Sequence, residues 1–318
     1  MLKKSLLLLV WISAYVNADT VEETLQTVNL MQVASGKLTS YQNFPSHFVK
    51  ARNVHVWTPD GFSSEKKYDV LYVHDGQNQF DSKTTWNHQE WAVDDVAGEL
   101  INSNKVRPFI VVAIDNGGEL RWPEYMPQKA ISYLDKSKVA TDNEIFQVKF
   151  LADNYLKFLV TELKPYIDSH YPVNTKAEST FLMGSSMGGL ISMYAVSEYP
   201  EIFSGAACLS THWLGVMPDS PLPMSEALIS YVENHLPKAS KHSFYFDHGT
   251  VDIDAYYPPL QKQVDELMKV KGYDQSNWQT HTFKGDNHSE NSWRKRLHIP
   301  LEFLFAKEAA LVSLNKDN

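Results

Sequence analysis

The sequence predicts an α/β fold, a mostly parallel central sheet with helices on both faces, and three observations predict it. Short runs that are apolar at every position recur along the chain, longer segments of helical spacing separate them, and one run leads through a glycine-flanked serine straight into a helical segment. A strand without a polar side has no face to offer water, so its sheet must be covered on both faces, as parallel sheets layered with helices are.

Taken in order, Val28–Val33 and Ala51–Trp57 alternate polar and apolar residues and predict antiparallel strands at one sheet edge. The continuous runs follow at Val70–Val73, Phe109–Ile114, Phe181–Met183, Ala206–Leu209 and Phe244–Phe246, with Gln279–Phe283 as the last strand. Between them the apolar spacing predicts helices near 89–103, 144–170, 187–198, 225–236, 258–272 and 290–307. In the second of these, Phe150, Tyr155, Phe158, Leu159 and Leu163 form a helical stripe that reads as core contact. Residues 116–143, with Gly117-Gly118, Pro123 and Pro127, are the least regular stretch and predict a long loop beyond a strand end, where open α/β sheets bind ligands.

The ends and the composition bound the rest. Met1-Leu2-Lys3-Lys4, the apolar stretch from Leu6 to Ile12 and Val16-Asn17-Ala18 read as a cleavable export signal over residues 1–18, too short to anchor in a bilayer. Residues 19–318 then form one domain, since no linker, repeat or low-complexity segment divides them. Loss of Lys3 and Lys4 would take the formal net charge from -9 to -11, which disfavours nucleic acid and anionic membranes as partners. Cys208 is the only cysteine, so an exported chain has no internal disulfide to rely on, and its apolar neighbours predict buried packing.

The chemistry is concentrated at Gly184-Ser185-Ser186-Met187-Gly188-Gly189, a G-x-S-x-G between a predicted strand and a predicted helix. That context is the signature of a serine nucleophile presented on a strained turn, with Ser186 as the hydroxyl and Ser185 in support. A serine hydroxyl needs a base, and the base needs a third group to hold its tautomer. His288, after the last strand in Gly285-Asp286-Asn287-His288, is the candidate base. Asp247, Asp252 and Asp254 follow the preceding strand; Asp252, just past the Gly249 turn, is the first choice for the acid and Asp254 the second. The oxyanion donors are expected from the amide of Met187 and from Gln77, with Gly76 close behind, in the loop His74-Asp75-Gly76-Gln77-Asn78. His212 and His248 fall in loops near this site and either line it or, as the first reading, serve as turn residues; no histidine pair has the helical spacing of a zinc site, so no metal is expected, and the serine chemistry requires no cofactor.

The stretches YDVLYVHDGQNQFD, VVAIDNGGELRWPEY, ELKPYIDSHYPV, FLMGSSMGGLISMYAVSEYPEIF, DHGTVD and GDNHSENSWRKRL resemble the putative-esterase family of α/β-hydrolases, across residues 50–305. That family includes esterase D-like enzymes, feruloyl and acetylxylan esterases, enterochelin esterase-like hydrolases and mycolyl transferases. The resemblance implies an α/β-hydrolase fold and places the nucleophile on Ser186, the base on His288 and, through Gly-Thr-x-Asp, the acid on Asp252.

Trp86, Trp91, Trp122, Tyr125 and Trp213 lie after predicted strands on the side of the nucleophile, where flat rings can stack on a sugar or an aromatic acyl group. Trp91, Arg121, Tyr125 and Trp213 are the candidate substrate contacts; Arg121 and Glu124 either bind polar groups or pair with each other. The expectation is a periplasmic or secreted serine esterase acting on small-molecule or carbohydrate esters, such as acetyl or feruloyl groups. A siderophore-lactone esterase and an acyltransferase with the same triad are the alternatives.

Overall fold

The computed structural model describes residues 26–27, 31–139, 144–218 and 223–307; the predicted signal segment lies outside them. Among the described residues nine strands form one sheet: β1 (Gln26–Thr27), β2 (Lys37–Phe44), β3 (Arg52–Thr58), β4 (Asp69–His74), β5 (Phe109–Ile114), β6 (Thr180–Ser185), β7 (Gly205–Leu209), β8 (Ser243–His248) and β9 (Trp278–Thr282). Their order is β1-β2-β3-β5-β4-β6-β7-β8-β9. The first three are antiparallel to their neighbours, and every pairing from β5 through β9 is parallel. This is the mostly parallel, helix-covered sheet that the uninterrupted apolar runs predict.

Alternation along the strands divides the interior into two layers. Val70 and Tyr72 of β4, with Ile110, Val112 and Ile114 of β5, face a core packed by the helices of 152–170, Met187–Glu198, Met224–His235 and Pro258–Val270. Leu71 and Val73, with Phe109, Val111 and Ala113, face the opposite core beneath Val93–Asn102, Glu290–Arg296 and His298–Leu304. Neighbouring side chains on a strand point to opposite faces, and here both faces are dry. Cys208 is buried in the first core, as its neighbours predict.

Three elements differ from expectation. The second antiparallel strand is Lys37–Phe44, paired along β3, rather than Val28–Val33; of that run, residues 31–33 lie outside any strand and 28–30 outside the described residues. The segment 144–170 holds a 3-10 turn, then a helix from 152 whose ladder passes through a π segment at Leu159–Leu163 just before Pro165. Proline has no amide hydrogen to give and its ring crowds the preceding turn, a recognised cause of such local widening. The final helix is split at Leu297, with Pro300 close behind in the first turn of its second half.

The parallel register brings the carboxyl ends of β4, β6, β7, β8 and β9 to one edge, where His74, Ser185, Leu209, His248 and Thr282 end their strands. Everything that follows these residues in sequence emerges at that edge.

Candidate active site

Ser186 follows β6 with φ 57 and ψ −122, a region that side chains other than glycine's rarely occupy. Neighbouring backbone holds it there. Its N–H donates to Leu209 O at 2.9 Å, and its carbonyl accepts from Gly189 N at 3.0 Å and His212 N at 3.2 Å. The glycine before it is required by space: a Cβ on Gly184 would lie 2.6 Å from the carbonyl carbon and oxygen of Gly188. At Gly188 a Cβ would stand 3.3 Å from Asp75 Oδ2, a tight contact with the loop after β4.

His288 sits between β9 and the helix Glu290–Arg296, whose first turn is capped by Ser289 accepting from Ser292 N–H. The imidazole is wedged edge to face between two rings, Trp293 at 5.0 Å and Tyr257 at 6.0 Å between centroids. Its Nδ1 lies 2.5 Å from Oδ1 of Asp254. This corrects the expectation of Asp252, which lies exposed at the start of the same 3-10 turn, Asp252–Tyr256, while Asp254 is fully buried. Asp252 opens that turn in the left-handed region, with φ 56, and its side chain stays in solvent. Asp254 is also the better anchored. Its Oδ2 accepts from Ser210 Oγ at 2.7 Å and Gly249 N–H at 2.6 Å. Burial raises its pKa, but the hydrogen bonds from His288, Ser210 and Gly249 outweigh that and hold it below the usual carboxylate range. Asp247 is engaged elsewhere, in a buried bidentate pair with Arg296.

Ser186, Met187 and His288 line one cavity of about 610 Å³, together with Arg121, Trp122, His212, Gly215, Val216, Met217 and Ile253. A hydroxyl on a strained turn and an imidazole held by a buried carboxylate therefore open on the same space. Met187 opens its helix and Gln77 is second in the 3-10 turn Gly76–Asn78, so neither backbone N–H has an acceptor within its own helix. The loop carrying Gln77 is fixed from several sides. Asp75 accepts from Arg121 at 2.7 and 2.8 Å and from Asn116 Nδ2 at 2.7 Å, and the Gln77 side chain accepts from Asn116 N–H at 3.2 Å.

The candidate substrate contacts divide. Arg121 lines the cavity, with Asp75 occupying two of its nitrogens. Trp91, Tyr125 and Trp213 do not reach it: each is at most 2% exposed. Trp91 packs on Trp293 in the second core, Trp213 donates to Gln261, and the Tyr125 hydroxyl accepts from Asp75 N–H at 3.4 Å beneath the loop after β4. Of the aromatic residues after the strands, Trp122 is the one that walls the cavity, tied by its indole N–H to Gly215 O at 2.9 Å. Trp86 is exposed and does not line the cavity. Glu124 does not pair with Arg121; it holds Arg52 through two 2.8 Å bonds in the interior. His248 is not a loop residue as expected but ends β8, its imidazole bonded to Gly249 O and Thr282 Oγ1, whereas His212 lines the cavity. Among the described residues no group of three or more His, Cys, Asp or Glu is arranged to hold a metal ion, and no helix is long and apolar enough to cross a membrane.

The family model for putative esterases matches residues 46–303. The chain belongs to that family. It is a carboxylic-ester hydrolase with the α/β-hydrolase fold. This esterase is 22% identical over 269 residues to the uncharacterized protein YbbA of Bacillus subtilis, a match that spans 82% of the chain and 95% of that protein. Among solved structures, a ferulic acid esterase aligns with a TM-score of 0.61 at 20% identity, over 85% of this chain and 98% of that one. The enterobactin esterase of Shigella flexneri aligns with a TM-score of 0.59 at 18% identity, over 86% of this chain and 60% of that one.

Proposed function

We propose that the esterase is an exported serine enzyme that works through an acyl-enzyme on Ser186, with His288 as general base and Asp254 as the group that holds it. The carrying observation is the 2.5 Å contact between Asp254 and His288, in a cavity that His288 shares with Ser186. With Nδ1 committed to Asp254, the lone pair of Nε2 is the one left to take the serine proton. Ser186 Oγ then bonds the acyl carbon, and the oxyanion is received by the amides of Met187 and Gln77. His288 returns the proton to the departing alcohol, and water deprotonated by His288 releases the acid and regenerates the serine.

The wall of the cavity supports an aromatic substrate class. Trp122, Met187, Val216, Met217 and Ile253 offer an apolar surface, and about 610 Å³ is ample for an aromatic acyl group. The name of one structural neighbour, a ferulic acid esterase, supports an aromatic acyl group. Feruloyl-type esters on carbohydrate are the favoured reading, with the export signal at residues 1–18 delivering the enzyme to them.

Replacing Ser186 by Ala is expected to lower turnover of a short-chain nitrophenyl ester by roughly three or more orders of magnitude, with KM little changed. Undiminished turnover would overturn the assignment. A panel of acetyl, feruloyl and catechol-type esters assayed side by side identifies the substrate class, and preference for acetyl esters over feruloyl ones would contradict the aromatic reading.

A further inference from the structure

His212 and Tyr257 form a second polar pair beside the nucleophile. Ring nitrogen Nδ1 of His212 lies 2.8 Å from the Tyr257 hydroxyl, both residues are buried, and the Ser186 side chain stands next to that hydroxyl. His212 is tied to the nucleophile a second time, because its backbone N–H donates to Ser186 O. The Tyr257 ring is the one packed against His288, so its hydroxyl sits where serine and base converge.

The surroundings of His212 set the direction of these bonds. The Val216 backbone stands beside the imidazole, and its carbonyl is the acceptor there for a ring N–H. Burial, followed by the nearby charge of His288, lowers the pKa of His212 to about 4 and keeps the ring neutral. A neutral imidazole carries one N–H. If Val216 receives it, Nδ1 is bare and must accept from Tyr257, which leaves the tyrosine oxygen as an acceptor toward Ser186.

We propose that Tyr257, oriented by His212, is a hydrogen-bond acceptor that holds the serine hydroxyl at rest and positions the hydrolytic water during deacylation. The proposal rests on the serine-esterase reading above. Once Ser186 Oγ is acylated it has no hydrogen to offer, and the acceptor on Tyr257 is vacated. Water carries two hydrogens: one passes to Nε2 of His288 as the water oxygen bonds the acyl carbon, and the other bonds Tyr257. The bond from the acyl carbon to Oγ then breaks, the proton on His288 moves to Oγ, and the carboxylic acid leaves. An alcohol carries one hydroxyl hydrogen, which goes to His288, so Tyr257 favours water over alcohols as the acyl acceptor. Tyr257 is thereby a catalytic residue and His212 a positioning residue.

The test follows the acyl group itself. The protein is acetylated with 4-nitrophenyl acetate, the acetyl adduct on Ser186 is followed by intact mass, and partition is read with methanol present. Tyr257→Phe keeps the ring against His288; it is expected still to form the adduct, to lose it about tenfold more slowly, the worth of one neutral hydrogen bond, and to raise the ratio of methyl acetate to acetate. His212→Leu is expected to show the same defect and to add nothing to Tyr257→Phe, whereas His212→Gln, which retains an acceptor, recovers part of it. A merely structural role would not produce that selective change in partition. Unchanged adduct decay and unchanged partition in a folded Tyr257→Phe protein would overturn the proposal, and the same behaviour in His212→Leu would overturn it should the first variant not fold. Failure of the adduct to form on Ser186 in the unaltered enzyme would overturn the serine-esterase reading instead.

Discussion

At the scale of single residues, the candidate site was legible where the chemistry imposes local geometry and illegible where it depends on which way a side chain turns. Ser186 could be read because a nucleophile on a strand-to-helix turn needs small neighbours, and Gly184 has no room for a methyl group. His288 could be read from its place after the last strand. The acid could not be read uniquely, because Asp252 and Asp254 share one short turn and only its folded backbone decides which faces inward. Asp254→Asn is therefore expected to lower kcat by roughly two to four orders of magnitude, through loss of the histidine tautomer, while Asp252→Asn stays within about twofold. Steady-state kinetics on the two variants checks this, and the opposite ranking would restore Asp252. Tyr257 carries no sequence signal at all; its role arises from meeting His212 and Ser186 across the fold.

At the scale of elements, the nucleophile turn and the loop after β4 are mutually supporting. Gly188 stands against Asp75, Asp75 is held by Arg121 and Asn116, and Tyr125 props the same loop from below. Gly184→Ala forces two backbone segments apart and is expected to cost about 1–3 kcal/mol of stability together with most of the activity. Gly188→Ala meets a side-chain oxygen at 3.3 Å and is expected to cost less. Thermal melting of the two variants ranks them, and equal melting temperatures would contradict the packing argument. The aromatic loop residues show the limit of reading elements from sequence: Trp91, Tyr125 and Trp213 follow strands on the catalytic side as expected, yet each is turned into the core. Position after a strand fixes the edge of the sheet a residue belongs to, but not whether its ring faces solvent.

At the scale of the whole molecule, buried titratable groups couple stability to pH. Burial holds His74 neutral, with its pKa lowered to about 3, as it does His212 at about 4. The unfolded chain protonates both near their ordinary value of 6.5, so between pH 6.5 and 4 it takes up two protons that the native state refuses, and stability falls as pH falls. Asp94 acts oppositely over part of that window, since burial raises it to about 6 and the native state keeps a proton that the unfolded chain releases. Two protons against one leave the histidines dominant. The urea midpoint is expected to be lower at about pH 5 than at about pH 7, and a midpoint unchanged or higher at the lower pH would contradict this balance.

The sequence by itself determined the fold class and singled out Ser186 and His288, the proposed nucleophile and base, at one edge of the sheet. All of these follow from periodicity, chain order and local steric demand, which act between residues close in sequence. Tertiary structure alone decided that Asp254 faces His288, that Trp122 and not its aromatic neighbours walls the cavity, and that Arg121 answers to Asp75 while Glu124 answers to Arg52. Those outcomes depend on side-chain direction and on partners brought together from distant parts of the chain, and a linear pattern carries no record of either.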